Sequence, residues 1–533
     1  MKSPILAAAA SALLTLWQAS PALALDGAPF IHDPSTVVES DGKWFTFGTG
    51  GGGLMSDDGW TWRSGAVRPG GGVAPDIMKI GDRYYVTYAA GGSGAHSSIV
   101  HMMWNKTLDP QSPDFKFSEA VVVASSDGVE DCDAIDPSLC LGPDGRLWLT
   151  YGTYFGFIRL VELDPKTGKR IEGNQSVNVA IDCEASDLIY RDGWYYLLGT
   201  HGTCCNGATS TYNIRVGRSK TVTGPFLDNM GIDMLKGGGK LVVAANGRYV
   251  GAGHFGREVL GEGVEKFSCH YEADLDRGGA SILDIRALLW KDGWPVAGDN
   301  FTGGTFEIQS ERSGYALELG VEAVPLSGGR GGGGRGAGFG GRGPRGGAGA
   351  VGGAGDTNAV AGLAGFGGPG NTNAIAGGGA RRGGGGGGGM FRGQGGVIPP
   401  QDVATVSTNW PAGNLGIRIG DYMLSAHQKW TITAVTNVTG FLGSPSFKIT
   451  IAGTDRTLAA TAGDEVVAVP AFTGTPEQLW RIDQLTDGTY RIMPKEVPNT
   501  KEALALTAVG ASTPTLAKFD PTSDKSRWNL KTP

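Results

Sequence analysis

The chain has 533 residues, a formal net charge of −7, 18% charged residues, 92 glycines and 6 cysteines. That length allows two or three domains, and the acidic balance removes the electrostatic case for a nucleic-acid partner. No Cys-x-x-Cys pair occurs, which argues against a zinc site.

Residues 1–24 combine a charged start (Met1-Lys2), an apolar stretch from Ile5 to Trp17 and the small-residue site Ala22-Leu23-Ala24. This pattern predicts a secretory signal peptide and a secreted or periplasmic protein. The uninterrupted apolar run is shorter than the ~20 residues that a membrane span needs.

Residues 25–300 read as an all-β domain. Four tight-turn pairs each open an aromatic strand: DGKWFTFGTG from Asp41, GDRYYVTYAA from Gly81, DGRLWLTYGT from Asp144 and DGWYYLLGTH from Asp192. NGRYVGAGHF from Asn246 is a fifth copy. Asp-Gly or Asn-Gly before alternating aromatic and β-branched residues is a hairpin signal, and five such units predict a five-bladed β-propeller.

Asp33, Asp136 and Glu184 each stand nine residues before a turn glycine, Gly42, Gly145 and Gly193. Equal offsets predict equal places in three blades, so these carboxylates are the candidate catalytic residues. The bland alternative is that each caps backbone amides. Clustered carboxylates repel, which keeps one of them protonated. Asp136 and Glu184 fall in neighbouring blades, which suits Glu184 as a general acid; the more distant Asp33 stays ionised and suits a base that activates water. A separation of roughly 6.5–9.5 Å would leave room for that water and invert the anomeric centre. Gly72 and Gly238 occupy the same offset in units two and five and would leave open space.

The cysteines allow fifteen pairings. Cys204 and Cys205 form either a vicinal disulfide or two buried thiols. Gly48-x-Gly50-x-x-Gly53 lacks a following helix and reads as a glycine loop, not a dinucleotide site.

About half of residues 327–396 are glycine, with scattered arginines such as Arg330, Arg342 and Arg381. Such a segment buries too little apolar surface to fold and is expected to be a disordered insertion. The flanking pieces, 301–326 and 397–533, form three similar units that end in HQKWTI, EQLWRI and SRWNLK, around Trp430, Trp480 and Trp528. YALELG, RTLAAT and ALALTA precede them. Gln428-x-Trp430 and Gln478-x-Trp480, with Ser526 in the third place, resemble the ricin-type β-trefoil. That resemblance implies buried tryptophans and a lectin-like domain.

The phrases Ile31-His32-Asp33-Pro34-Ser35, Ala134-Ile135-Asp136-Pro137-Ser138 and Asp182-Cys183-Glu184-Ala185 resemble the three catalytic motifs of glycoside hydrolase family 43. Ala74-Pro75-Asp76-Ile77, LVELDPKTGK from Leu160, CCNGATSTYNIRVGRS from Cys204 and GAGHFG from Gly251 are similar to its endo-α-1,5-L-arabinanase branch. The resemblance implies cleavage of arabinan, a plant cell-wall polysaccharide, by an inverting monomer without organic cofactor. Exo-acting α-L-arabinofuranosidase or β-xylosidase action, or carbohydrate binding without turnover, are the alternatives. Carried over, Asp33 is the base, Glu184 the acid, and Asp136 tunes and orients the acid. His254 would help hold a structural calcium ion, largely through water. Phe155 stands where the family often carries a tryptophan beside the sugar, and Ser210 is a candidate to face substrate. Gly72-Val73 replaces the aromatic usual before Ala-Pro-Asp.

Overall fold

The computed structural model describes residues 25–91, 97–126, 133–298, 301–320, 410, 412–509 and 513–533. The expected signal peptide, the glycine-rich stretch and Cys132 lie outside them. Helix among the described residues is confined to short 3-10 turns.

Five sheets follow one another in the N-terminal domain, each an up-and-down set of strands. Their inner strands are Val38–Ser40, Val73–Ile80, Ser138–Leu141, Glu184–Arg191 and Tyr249–Gly261. Neighbouring sheets pack face to face, so their middle strands read as near-continuous apolar runs, not as alternating ones. Leu147–Tyr151 and Val264–Asp274 are buried at every position. The ring is a five-bladed β-propeller. It closes through the N-terminal segment: Phe30 bridges Ile282, the Leu283 amide donates to Pro29 O, and Ile31 donates to Ser281 O.

Four of the five turns fall where the sequence places them, between Ser40 and Lys43, Ile80 and Arg83, Leu141 and Leu147, and Arg191 and Trp194. The fifth does not. Asn246-Gly247 joins the outer strand of blade four, Lys240–Val243, to the inner strand of blade five; the blade-five hairpin turns at Glu262-Gly263. Nine residues before Gly263 stands His254, not Gly238.

The left-handed backbone region, rare for side-chain-bearing residues, is occupied in every blade in or just before the inner strand, with Asp182 (φ 59°) a further case in blade four. The residues are Asp33, Ala74, Asp136, Ala185 and His254, with φ of 51°, 47°, 53°, 46° and 60°. Such conformations cost ~1–3 kcal/mol each and gather at functional sites. Glu184 therefore sits one position before the counterpart of Asp33 and Asp136. The ladder is irregular between Glu184 and Asp187, as it is between Val73 and Asp76 and between Gly253 and Gly256.

The C-terminal domain is a ten-stranded sheet with a separate hairpin, Leu504–Val509 and Thr513–Lys518. Three equivalent bonds mark its internal repetition: the indole N–H groups of Trp430, Trp480 and Trp528 donate to the carbonyls of Leu317, Leu458 and Leu506 at 2.8, 2.9 and 2.8 Å. All three rings are fully buried. Gln428 and Gln478 use their amide oxygens to accept the Met423 and Thr473 amides, so these motif glutamines brace loops. The two domains are packed together: Gly440 donates to Asp58, Arg491 pairs with Glu262 at 2.5 Å, and Val264 joins Leu485, Met493, Ala505 and Phe519 in one apolar cluster.

Candidate active site

Asp33, Asp136 and Glu184 all line one cavity of about 490 Å³ on the propeller axis. His32, Thr49, Tyr154, Phe155, Tyr212, His254, His270 and the Cys204–Cys205 pair complete much of its wall. The three carboxylates at equal offsets thus meet in one cavity, although Glu184 reaches it from the neighbouring backbone position.

Asp33 is surrounded by donors. Thr49 Oγ1 donates to Asp33 Oδ2 at 2.6 Å, His32 Nδ1 lies 3.0 Å from the same oxygen, and His254 Nδ1 lies 3.6 Å from Oδ1. Burial alone would raise the Asp33 carboxyl, but bonds and charge from His254 and His32 hold it well below the usual range. Asp33 is therefore ionised. The His32 ring bridges to a second carboxylate, with Nε2 3.1 Å from Glu272 Oε1. Burial opposes charge on His32, yet its two carboxylate partners outweigh burial and lift its pKa to about 10. His270 stacks on His32 at 4.6 Å between centroids and accepts the Asp33 amide on Nδ1 at 3.1 Å, which leaves its proton on Nε2.

Glu184 lies in the opposite electrostatic setting. Burial and the charge of Asp33 raise its pKa to about 7, against the hydrogen bonds from Tyr212 and Thr153. Tyr212 donates its hydroxyl to Glu184 Oε1, and Thr153 Oγ1 lies 3.4 Å from Oε2. Asp136 is raised well above the ordinary carboxylate range by burial and then by Glu184 and Asp33. Its Oδ2 accepts the Ala185 amide at 3.0 Å, which ties it to the residue beside Glu184. One ionised carboxylate thus faces a pair that retains a proton near neutrality.

Phe155 lines the cavity, 54% exposed, with its ring 4.6 Å from Tyr154. Ser210 does not line it: its hydroxyl donates to Thr203 O and accepts the Tyr212 amide, bracing a turn. Tyr212, two residues on, is the side chain from that phrase that reaches the acids. Cys204 and Cys205 are bonded to each other and partly exposed, so the buried-thiol alternative does not apply. Cys140, Cys183 and Cys269 are free and buried.

His254 lies in the cavity wall. Calcium takes six to eight oxygens, whereas His254 Nδ1 has the Asp33 carboxylate beside it at 3.6 Å, and the other clustered donors, His32 with Asp33 and His270 or with Glu272 and the Cys204–Cys205 sulfurs, are rich in nitrogen and sulfur. This donor set fits an ion that keeps most of its water and does not fit a protein-built cage.

Two carboxyl groups of opposed protonation state in one pocket are the arrangement that acid–base cleavage of a glycosidic bond uses. Glycosyl hydrolases family 43 matches residues 45–295, and the chain belongs to that family. It is 32% identical over 300 residues to an extracellular exo-α-(1→5)-L-arabinofuranosidase of Cellvibrio japonicus, covering 50% of this chain and 85% of that protein. It is also 32% identical over 320 residues to an extracellular endo-α-(1→5)-L-arabinanase of Bacillus subtilis, covering 55% and 93%. Among solved structures, an exo-1,5-α-L-arabinanase from a bovine ruminal metagenomic library is similar at 33% identity, with a TM-score of 0.48 over 52% of this chain and all of the other.

Proposed function

We propose that the protein hydrolyses α-1,5-linked L-arabinofuranosyl bonds within arabinan, with inversion. One observation carries the reading: Glu184, protonated up to about pH 7, shares its cavity with an ionised Asp33. Glu184 protonates the glycosidic oxygen as the C1–O bond breaks. Asp33 takes a proton from the water that attacks C1 from the opposite face. Asp136 favours the neutral form of Glu184 and, through the Ala185 amide, steadies its strand. The relatives named above support arabinan as the polymer, and they include both internal and terminal cleavage. Product sizing on linear arabinan over time separates these modes. A ladder of oligosaccharides appearing early supports internal attack, whereas one small product throughout points to the exo alternative. No release above a Glu184→Gln control would leave only a carbohydrate-binding protein.

The same reading extends to the rest of the chain. The three-unit C-terminal domain is a β-trefoil that holds the enzyme against polysaccharide. His254 holds a hydrated calcium ion, whose positive charge would sit beside Asp33. The protein is exported and acts as a monomer. No described helix is long and apolar enough to cross a membrane.

The pair of raised carboxyls gives a pH test. Activity needs Glu184 protonated, so the rate falls as pH rises through about 7. Asp136→Asn removes a group whose charge disfavours the Glu184 anion, so the alkaline limb moves to lower pH. A limb that stays in place in a kcat/KM profile removes Asp136 from the tuning role.

A further inference from the structure

The Cys204–Cys205 bond takes no part in the acid–base chemistry, yet it stands on the wall of the same cavity. A disulfide stabilises chiefly by closing a loop of unfolded chain, and the gain grows with the number of residues enclosed. Adjacent cysteines enclose none. The consequence of this bond is therefore local, at the cavity.

The loop that carries it leaves blade four between Trp194–His201 and Asn213–Ser219. Thr203 and Thr211 join its two legs, hydroxyl to hydroxyl at 2.9 Å and Thr203 amide to Thr211 Oγ1 at 3.1 Å. Its tip is pinned to blade five, where Glu272 accepts the Cys205 amide at 3.1 Å and the Gly207 amide at 3.4 Å. Cys205 holds a left-handed φ of 65°, which the tethered tip maintains. The loop is thus fixed at its base and at its tip, with Tyr154 and the exposed Phe155 ring on the same cavity wall.

We propose that the Cys204–Cys205 pair is a sugar-contacting surface that, with Phe155, grips a pentose unit of the chain being cut. This rests on the arabinan reading above. Joined side chains have already lost their rotamer freedom, so ordering them on binding costs little. Sulfur is polarizable and packs well against the C–H face of a ring, as it does against aromatic edges. The Phe155 ring offers a second flat face, and the charged groups beside the sulfurs, His32 and Glu272, pair with each other at 3.1 Å, so a neutral sugar leaves neither unpaired. The pair is a binding element, and catalysis proceeds without it.

The test uses the whole protein and arabino-oligosaccharides of two to six units. Wild-type enzyme is assayed before and after reduction by a phosphine, which becomes the phosphine oxide by taking oxygen from water and leaves two thiols. A Cys204→Ser/Cys205→Ser variant is assayed in parallel. Both treatments are expected to raise KM for the six-unit substrate about fivefold with kcat changed less than twofold, the pattern of lost uniform binding. The variant should also no longer respond to the phosphine. An unchanged KM in the reduced wild type overturns the proposal, even if the variant misfolds. A fall in kcat at constant KM also overturns it, since the loop would then serve the acids. If untreated enzyme cleaves none of these substrates, the arabinan reading fails instead, and that outcome is visible before any cysteine is touched.

Discussion

Glu184→Gln is expected to lower kcat on arabinan by about 10²- to 10⁴-fold, the range for removing a positioned general acid. Glutamine keeps the shape and can still accept the Tyr212 hydroxyl on its amide oxygen, so the fold and the cavity survive. What disappears is the proton that the departing sugar oxygen needs, because a sugar alkoxide is a poor leaving group. The same variant should lose far less activity on an arabinofuranoside with a nitrophenol leaving group, which departs without protonation. Equal losses on both substrates would assign Glu184 to positioning and not to proton transfer. The alkaline limb near pH 7 should also vanish from the residual activity, because no group at position 184 then titrates.

Much of this site was legible in the sequence because its groups report locally. An Asp-Gly pair needs a left-handed glycine to turn, as at Gly42 and Gly193 with φ of 74° and 79°, and the strands on either side declare themselves by their aromatics. The fifth unit misled because Asn246-Gly247 carries the same turn chemistry between two blades, while the true hairpin at Glu262-Gly263 lacks the Asn or Asp signal. The place of Glu184 was found through a compensating difference. Ala185 takes the left-handed position, and alanine gives no sign of that conformation in a sequence. His32, Thr49, Tyr212 and Glu272 were missed for another reason. His32 and Glu272 are 240 residues apart and only the closed ring brings them together, whereas Thr49 and Tyr212 reach Asp33 and Glu184 across 16 and 28 residues within one blade, where no turn signal marks them. In the C-terminal domain, the repeated tryptophan phrases do correspond to a repeated contact, since each indole donates to a leucine carbonyl within the buried core.

Asp33→Ala should lower kcat by at least about 10²-fold, and its signature should differ from that of Glu184→Gln. The base acts on the attacking water, so its loss should slow the arabinan and nitrophenyl substrates alike. The cavity makes the assignment testable by replacement. Truncation at position 33 leaves room beside Thr49, His32 and His254, three groups that now direct hydrogen bonds or positive charge toward the missing carboxylate. A small anion such as azide fits that setting and needs no base to attack C1. Azide is expected to restore turnover on the nitrophenyl substrate, with C1–N forming as C1–O breaks. The product should be the β-configured glycosyl azide, of opposite configuration to the α-linked substrate. A glycosyl azide that kept the α configuration would mean two displacements and an enzyme-bound sugar, and Asp33 would no longer be the base of an inverting reaction. Near-normal activity without azide would remove Asp33 from the chemistry altogether, and the donors around it would then need another purpose.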